Sequence, residues 1–231
     1  MIQVTHEERI EDGHISFKPL FISWVCDIFS AEVYVEVGVY RFLTFRYMNS
    51  KLQSDVKMVG FDLFGDNSGE SVPERDRTDM RGLSYDESKE IVSGWDREVL
   101  LVMGDTRDTL LGDWLPEKNS RVIVYLDGGH DYETVKSDFW NLYNTLTNGI
   151  IIMDDWVDPD VLGLGSGVNK YDYKFIYPKD GILPNGDRYR FWDSTWKFAK
   201  ELHDNPNVRV AYVSDIFFPN VELEYLGIVV I

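Results

Sequence analysis

The stretch VIVYLDGGHDYETVKSDFWNLYNTLTNGIIIMDDW, Val122 to Trp156, decides the fold. Two apolar runs, Val122–Leu126 and Ile150–Met153, each end in acid, the first at Asp127 and the second at Asp154 and Asp155. Between them Tyr132, Val135, Phe139, Leu142, Tyr143 and Leu146 recur every three or four residues, the spacing of one helix face. Asn148-Gly149 supplies the helix stop. The stretch therefore predicts strand, helix, strand. Strands that are apolar throughout belong to a parallel sheet covered on both faces. Parallel neighbours point their C-terminal ends the same way, so Asp127, Asp154 and Asp155 converge on the rim where open α/β sheets bind ligands. With His130 beside Asp127, the cluster is a metal site or an acid–base site.

Upstream, the same alternation repeats. Strands are expected at Val33–Val37, Val56–Phe61 and Glu98–Met103. Helices are expected over Phe17–Phe29, with Pro19 in the first turn, and over Arg41–Leu52. A third starts at the capping box Ser84–Glu87 and runs to about Trp95. A short helix follows Gly104-Asp105-Thr106. The Phe17–Phe29 helix is expected to cover the sheet edge. After Trp156, residues 157–191 hold no sustained periodicity and are rich in glycine, proline and tyrosine, as a functional loop inside a compact domain is. Asp193–His203 resumes a helix, and Val208–Val213 and Leu223–Ile231 read as strands with no helix between them. The expected fold is α/β: a doubly wound, mostly parallel seven-stranded sheet with an antiparallel C-terminal hairpin. One domain spans 1–231: an N-terminal cap (1–32), a core (33–156), a substrate-side loop (157–191), and a C-terminal helix with strands (192–231).

Among 231 residues, 40 are acidic and 23 basic, a formal net charge of -17. That argues against a nucleic-acid binder, which needs phosphate-neutralising Lys and Arg, and against anionic membranes. The single cysteine, Cys26, excludes an internal disulfide and reads as a packed core thiol in a reducing compartment. With no basic, apolar leader visible in MIQVTHEERIEDGH and no run long enough to span a bilayer, the expectation is a cytoplasmic protein.

Each strand end offers a candidate. Glu36-Val-Gly38 closes the first; its glycine either lets backbone approach a ligand or serves a plain βα turn. Asp62, after the second, either holds a ribose diol or is one more acidic loop residue. Gly104, Asp105 and Thr106, after the third, either approach an adenine amino group or cap a helix. Three carboxylates on one rim need a cation or protons, and oxygen-only ligands suit Mg²⁺, Mn²⁺ or Ca²⁺. His130 is a metal ligand, a general base or a helix-start residue. Lys170, Lys174, Lys179, Arg188 and Arg190 make the late loop the most basic part of the chain.

Together these residues resemble the class I S-adenosylmethionine-dependent methyltransferases. The particular likeness is to the family 24 methyltransferase domain and the metal-dependent macrolide-sugar O-methyltransferases of the macrocin and mycinamicin type. It is carried by Glu36-Val-Gly38, Asp62-Leu-Phe-Gly65, Gly104 with Asp108-Thr109-Leu110, Asp127-Gly-Gly-His130-Asp-Tyr132-Glu133, Leu142-Tyr143 with Leu146 and Gly149, and Asp154-Asp155. The resemblance implies a Rossmann-like methyltransferase fold and transfer of a methyl group to a hydroxyl of a small molecule such as a sugar or natural product. It implies that Glu36 and Gly38 border the methionine part of S-adenosylmethionine, that Asp62 holds the ribose, and that Gly104, Asp105 and Thr106 lie near adenine. It further implies that Asp127, Asp154 and Asp155 bind Mg²⁺, with His130 as base and Asp127 also catalytic. Phe42 departs from the pattern by standing where a small residue is common, and Gly129 by standing where relatives carry a second acid. The expected partner is a small hydroxyl compound, with no nucleic acid and no membrane; a homo-oligomer is compatible with the chain. Three other readings exist. A Rossmann oxidoreductase lacks its GxGxxG. An iron hydroxylase needs two histidines and a carboxylate, and only His130 is suitably placed. The third is a non-catalytic cofactor-binding or assembly protein with the same fold.

Overall fold

The computed structural model describes residues 17–64, 82–129, 131–154, 156, 195–213 and 226–231. In chain order the elements are α1 (Phe17–Phe29), β1 (Val33–Val37), α2 (Leu43–Lys51), β2 (Lys57–Asp62), α3 (Tyr85–Ser93), β3 (Val99–Met103) and α4 (Thr106–Thr109). They continue with β4 (Val122–Leu126), α5 (Tyr132–Thr145), β5 (Gly149–Met153), α6 (Thr195–His203), β6 (Val210–Val213) and β7 (Leu226–Val230). The seven strands form one sheet in the order β3-β2-β1-β4-β5-β7-β6. The first five are parallel, and β7 runs antiparallel to both β5 and β6. The expected hairpin is present, with its second strand inserted against β5.

Alternation along the buried strands divides the core in two. Val33, Val35, Val37, Val122, Val124, Leu126, Ile151 and Met153 face one side, where Phe139, Leu142 and Phe198 of α5 and α6 cover them. Tyr34, Met58, Ile123, Tyr125 and Ile152 face the other, under Ile22 and Cys26 of α1 and Phe45 and Met48 of α2. Period-two side-chain placement makes this split automatic once the strands are buried on both faces. The α1 helix thus lies on a face of the sheet, correcting the expectation that it covers an edge. Phe21, Ile22 and Cys26 are the apolar α1 side chains buried there. Cys26 is the packed thiol expected, 2% exposed, and burial, with the Asp27 charge, pushes its thiol far up.

The sequence order reverses between β1 and β4: from β1 the chain winds outward to β2 and β3, then returns to β4 on the other flank. That switch point opens a crevice beyond the carboxyl ends of β1 and β4. Gly38 sits at its floor with φ 90°, and a Cβ there would lie 2.2 Å from the Asp127 carbonyl oxygen. The glycine is required by the close packing of two strand ends. Residues 65–81 and 157–194, which include the expected substrate-side loop, lie outside the described residues, as does the start of the N-terminal cap.

Candidate active site

Four acids mark the rim, each delivered by a strand end. Glu36 pairs in register with Tyr125, and Leu126 with Met153, so Asp127 and Asp154 leave adjacent strands side by side. The amide of Asp127 donates to Val37 O and that of Asp154 to Leu126 O, both at 2.9 Å, which extends the ladder by one residue and fixes both backbones.

Tyr125 lies between these acids. Two residues before Asp127 on the same face of β4, its hydroxyl donates to Asp154 Oδ2 at 2.8 Å and lies 3.4 Å from Asp127 Oδ2. Lys18, from the first turn of α1, completes the group: its Nζ lies 2.7 Å from Asp154 Oδ1 and 2.9 Å from Oδ2. Burial alone would raise the Asp154 carboxyl. The Lys18 ammonium and the hydrogen bonds from Lys18 and Tyr125 outweigh it, holding the group below the usual carboxylate range. Burial, and then the charges of Asp127 and Asp154, keep the Tyr125 phenol protonated far into base.

Glu36 is buried, and Tyr34 Oη donates to its Oε2 at 2.6 Å. Burial pushes the Glu36 carboxyl up to about 8, against the lowering effect of the Tyr34 bond and with help from the Asp62 charge. Asp62 is engaged differently. Its Oδ2 accepts the Tyr40 amide at 2.7 Å and its Oδ1 the Phe64 amide at 3.0 Å. Both donors have left-handed backbones, Tyr40 at φ 41° and Phe64 at φ 45°. Phe42, between the β1 turn and α2, is left-handed too, at φ 64° and ψ 19°. Bulky residues rarely adopt this region. Three of them around one crevice are stored strain of the kind that collects at binding loops, and one carboxylate holds two of them. Phe42 is fully buried, its ring packed edge-on to Phe45 at 5.4 Å.

Of the third-strand candidates, Gly104 takes φ 136°. Asp105 caps α4 by accepting the Arg107 amide at 2.9 Å, and the Arg107 guanidinium clamps both its oxygens. That clamp lowers the Asp105 carboxyl. Thr106 Oγ1 donates to Asp138 Oδ2 at 2.8 Å. Asp138 is 3% exposed, and its Oδ1 has no partner among the described residues. Burial pushes it up to about 7 despite the Thr106 bond. With Asp127 and Asp154 it lines a cavity of about 20 Å³, room for one water.

The structure thus brings Glu36, Gly38, Asp62, Asp127 and Asp154 to one crevice, and Gly104, Asp105 and Thr106 to the next strand end. His130 and Asp155 lie outside the described residues. Sequence reasoning passed over Tyr34, Tyr125, Lys18 and Asp138. The available signals were a phenol two residues before an acid, at Tyr34 before Glu36 and Tyr125 before Asp127, and a lysine opening an apolar helix.

No protein-family model matches the sequence, and no curated protein matches it. Solved structures do match in three dimensions. An O-methyltransferase from Bacillus cereus in complex with SAH superposes with TM-score 0.54 at 12% identity, covering 99% of this chain and 83% of that one. The O-methyltransferase TomG from Streptomyces achromogenes, involved in tomaymycin synthesis and in complex with SAM, gives 0.53 at 11%, covering 92% and 79%. SAH-bound PaMTH1 from Podospora anserina gives 0.53 at 13%, covering 91% and 76%. The chain has the Rossmann-like methyltransferase fold. In that fold the expected seven strands and antiparallel finish are accounted for, and the acid rim lies at its switch point.

The oxygen donors of Asp127 and Asp154 have the hard character a divalent cation takes. Among the described residues no group of three or more ligating side chains converges; of the three expected donors, Asp155 falls outside them.

Proposed function

We propose that this protein transfers the methyl group of S-adenosylmethionine to a hydroxyl oxygen of a small molecule such as a sugar or natural product. The observation that carries the reading is the β1/β4 switch point of a methyltransferase fold, where adjacent strand ends deliver Glu36, Asp62, Asp127 and Asp154 to one rim.

Each residue has a task the chemistry demands. The Asp62 carboxylate, fixed by two amides, retains lone pairs for ribose hydroxyls, whose charge-assisted bonds are strong. Glu36, at the end of β1, borders the methionine part. Gly104, Asp105 and Thr106 close the adenine side, Asp105 chiefly by fixing the backbone of α4. An alcohol is a weak nucleophile until it loses its proton, and His130 takes that proton, an imidazole being the group that titrates near neutrality. Asp127, Asp154 and Asp155 would hold Mg²⁺, or Mn²⁺ or Ca²⁺, which lowers the cost of negative charge on the acceptor oxygen when bound. The basic residues Lys170, Lys174, Lys179, Arg188 and Arg190 suit an anionic group on the acceptor. The net charge of -17 disfavours a nucleic-acid acceptor. No helix among the described residues is long and apolar enough to cross a membrane, and we place the protein in the cytoplasm.

Calorimetric titration with S-adenosylhomocysteine and, separately, NAD tests the cofactor. Binding of the former in the micromolar range, about -7 to -8 kcal/mol, supports the reading, and binding of NAD alone refutes it. Radiolabelled methyl transfer to a panel of hydroxyl compounds, with chelator and with Mg²⁺ restored, tests the reaction. Full activity in chelator removes the metal from it.

A further inference from the structure

The acid rim carries a cation of its own. Lys18 reaches down from α1 so that one ammonium meets both oxygens of Asp154, at 2.7 and 2.9 Å. The Asp154 side chain is 7% exposed and that of Lys18 20%. Tyr125 donates to the same carboxylate from below. A divalent ion held by Asp127 and Asp154 would use the lone pairs that face this ammonium. Two cations within one half-buried site repel strongly, because little water lies between them.

We infer that Lys18 and a divalent cation are alternative occupants of Asp154, so that metal binding at this rim requires withdrawal of the Lys18 ammonium. The inference rests on the metal-dependent reading above and adds to it a competitor built into the chain. When metal is absent, Lys18 supplies the positive charge that lets neighbouring buried acids coexist, and it ties the first turn of α1 to the end of β5. When metal binds, the flexible lysine stem has a route to solvent through its exposed fifth. By linkage, the ion pair weakens apparent metal affinity by the factor with which it populates the closed arrangement.

The test is Mn²⁺ titration of wild-type protein, Lys18→Gln and Lys18→Arg, following the paramagnetic resonance signal of the free ion. Lys18→Gln should bind Mn²⁺ more tightly, by roughly tenfold, whereas Lys18→Arg, which keeps the charge, should not. Equal or weaker binding by a folded Lys18→Gln protein overturns the inference, as does failure of wild type and Lys18→Gln alike to bind Mn²⁺. Hydrogen exchange on wild type alone covers the case of a variant that does not fold. Saturating Mn²⁺ should speed exchange in the first turns of α1, and unchanged exchange there with Mn²⁺ bound overturns the competition. S-adenosylhomocysteine titrated into the same samples separates the two claims. If it binds while Lys18 proves irrelevant to Mn²⁺, the competition falls and the cofactor reading stands. If it fails to bind, the methyltransferase reading falls by itself.

Discussion

Asp62 Oδ2 accepts the backbone amide of Tyr40 at 2.7 Å, tying the end of β2 to the left-handed turn that follows β1. Its second oxygen does the same for Phe64 on its own side of the crevice. One side chain therefore shapes both walls that would hold a ribose. Asp62→Ala should weaken S-adenosylhomocysteine binding by roughly 1.5–3 kcal/mol, through lost hydrogen bonds and relaxed loops together. It should also lower thermal stability, because two strained residues lose their acceptor. Unchanged affinity by calorimetry would remove Asp62 from the site.

The buried Glu36 predicts a pH slope. Its carboxyl ionises near the ordinary value of 4.5 when unfolded, and burial pushes it up to about 8 when folded. Between those values the folded state holds the extra proton. Stability therefore falls as pH rises from about 5 to 8, the reverse of a salt-bridged acid. Asp138, shifted from 3.8 to about 7 by burial, adds a contribution of the same sign over a lower window. Glu36→Gln can still accept from Tyr34 and has nothing to ionise, so its melting temperature should decline less steeply across that range. Superimposable wild-type and variant profiles would show that Glu36 is ionised in the fold.

Most of the sheet was legible because buried parallel strands leave uninterrupted apolar runs, as at Val122–Leu126, and acids at their ends mark the rim. The Ser84 capping box was legible because its reciprocal bonds need only two residue types three apart; both bonds form. Lys18 was not, since a lysine on an apolar helix usually carries its charge to water, and only the tertiary position of α1 points it at Asp154. Tyr125 reads as an ordinary strand aromatic until Asp154 is beside it. The periodicity of α1 says which side is apolar, not whether a face or an edge receives it. Asp105 admitted both a cap, the reading its segment favours, and a ligand contact, and the Arg107 clamp that goes with the cap lies in side-chain geometry.

Phe42 sets strain against packing. Its left-handed backbone costs roughly 1–2 kcal/mol, while its ring is fully buried between Phe45 and Phe64. Removing such a ring costs about 3–5 kcal/mol, so packing wins and Phe42→Gly should destabilise despite relieving the backbone. Phe42→Ala should be less stable still, by about 1 kcal/mol, because alanine keeps the strain. That inverts the usual order of alanine and glycine, and denaturant melts that find alanine the more stable would show the turn is unstrained.

Gly227 of β7 lies flat against Trp156. A Cβ there would come within 2.3 Å of the indole Cδ1 and 2.5 Å of Cγ. Trp156 is fully buried and wedged on Phe198, so the ring has little room to yield. Gly227→Ala should cost roughly 1–3 kcal/mol by overpacking. Gly94→Ala, where the added carbon meets nothing within 4 Å, is the matched control and should be near neutral. A Gly227→Ala protein as stable as that control would mean the indole is free to move.

The strand that delivers Asp154 has its outer flank filled by residues 226–230. During synthesis β5 leaves the ribosome well before its partner does, with an apolar, unpaired edge that any other nascent strand can join. The same exposure would follow proteolytic loss of β7. Newborn or clipped chains should therefore aggregate through β5, and a chaperone that shields that edge until residue 230 has emerged would raise the yield of native protein.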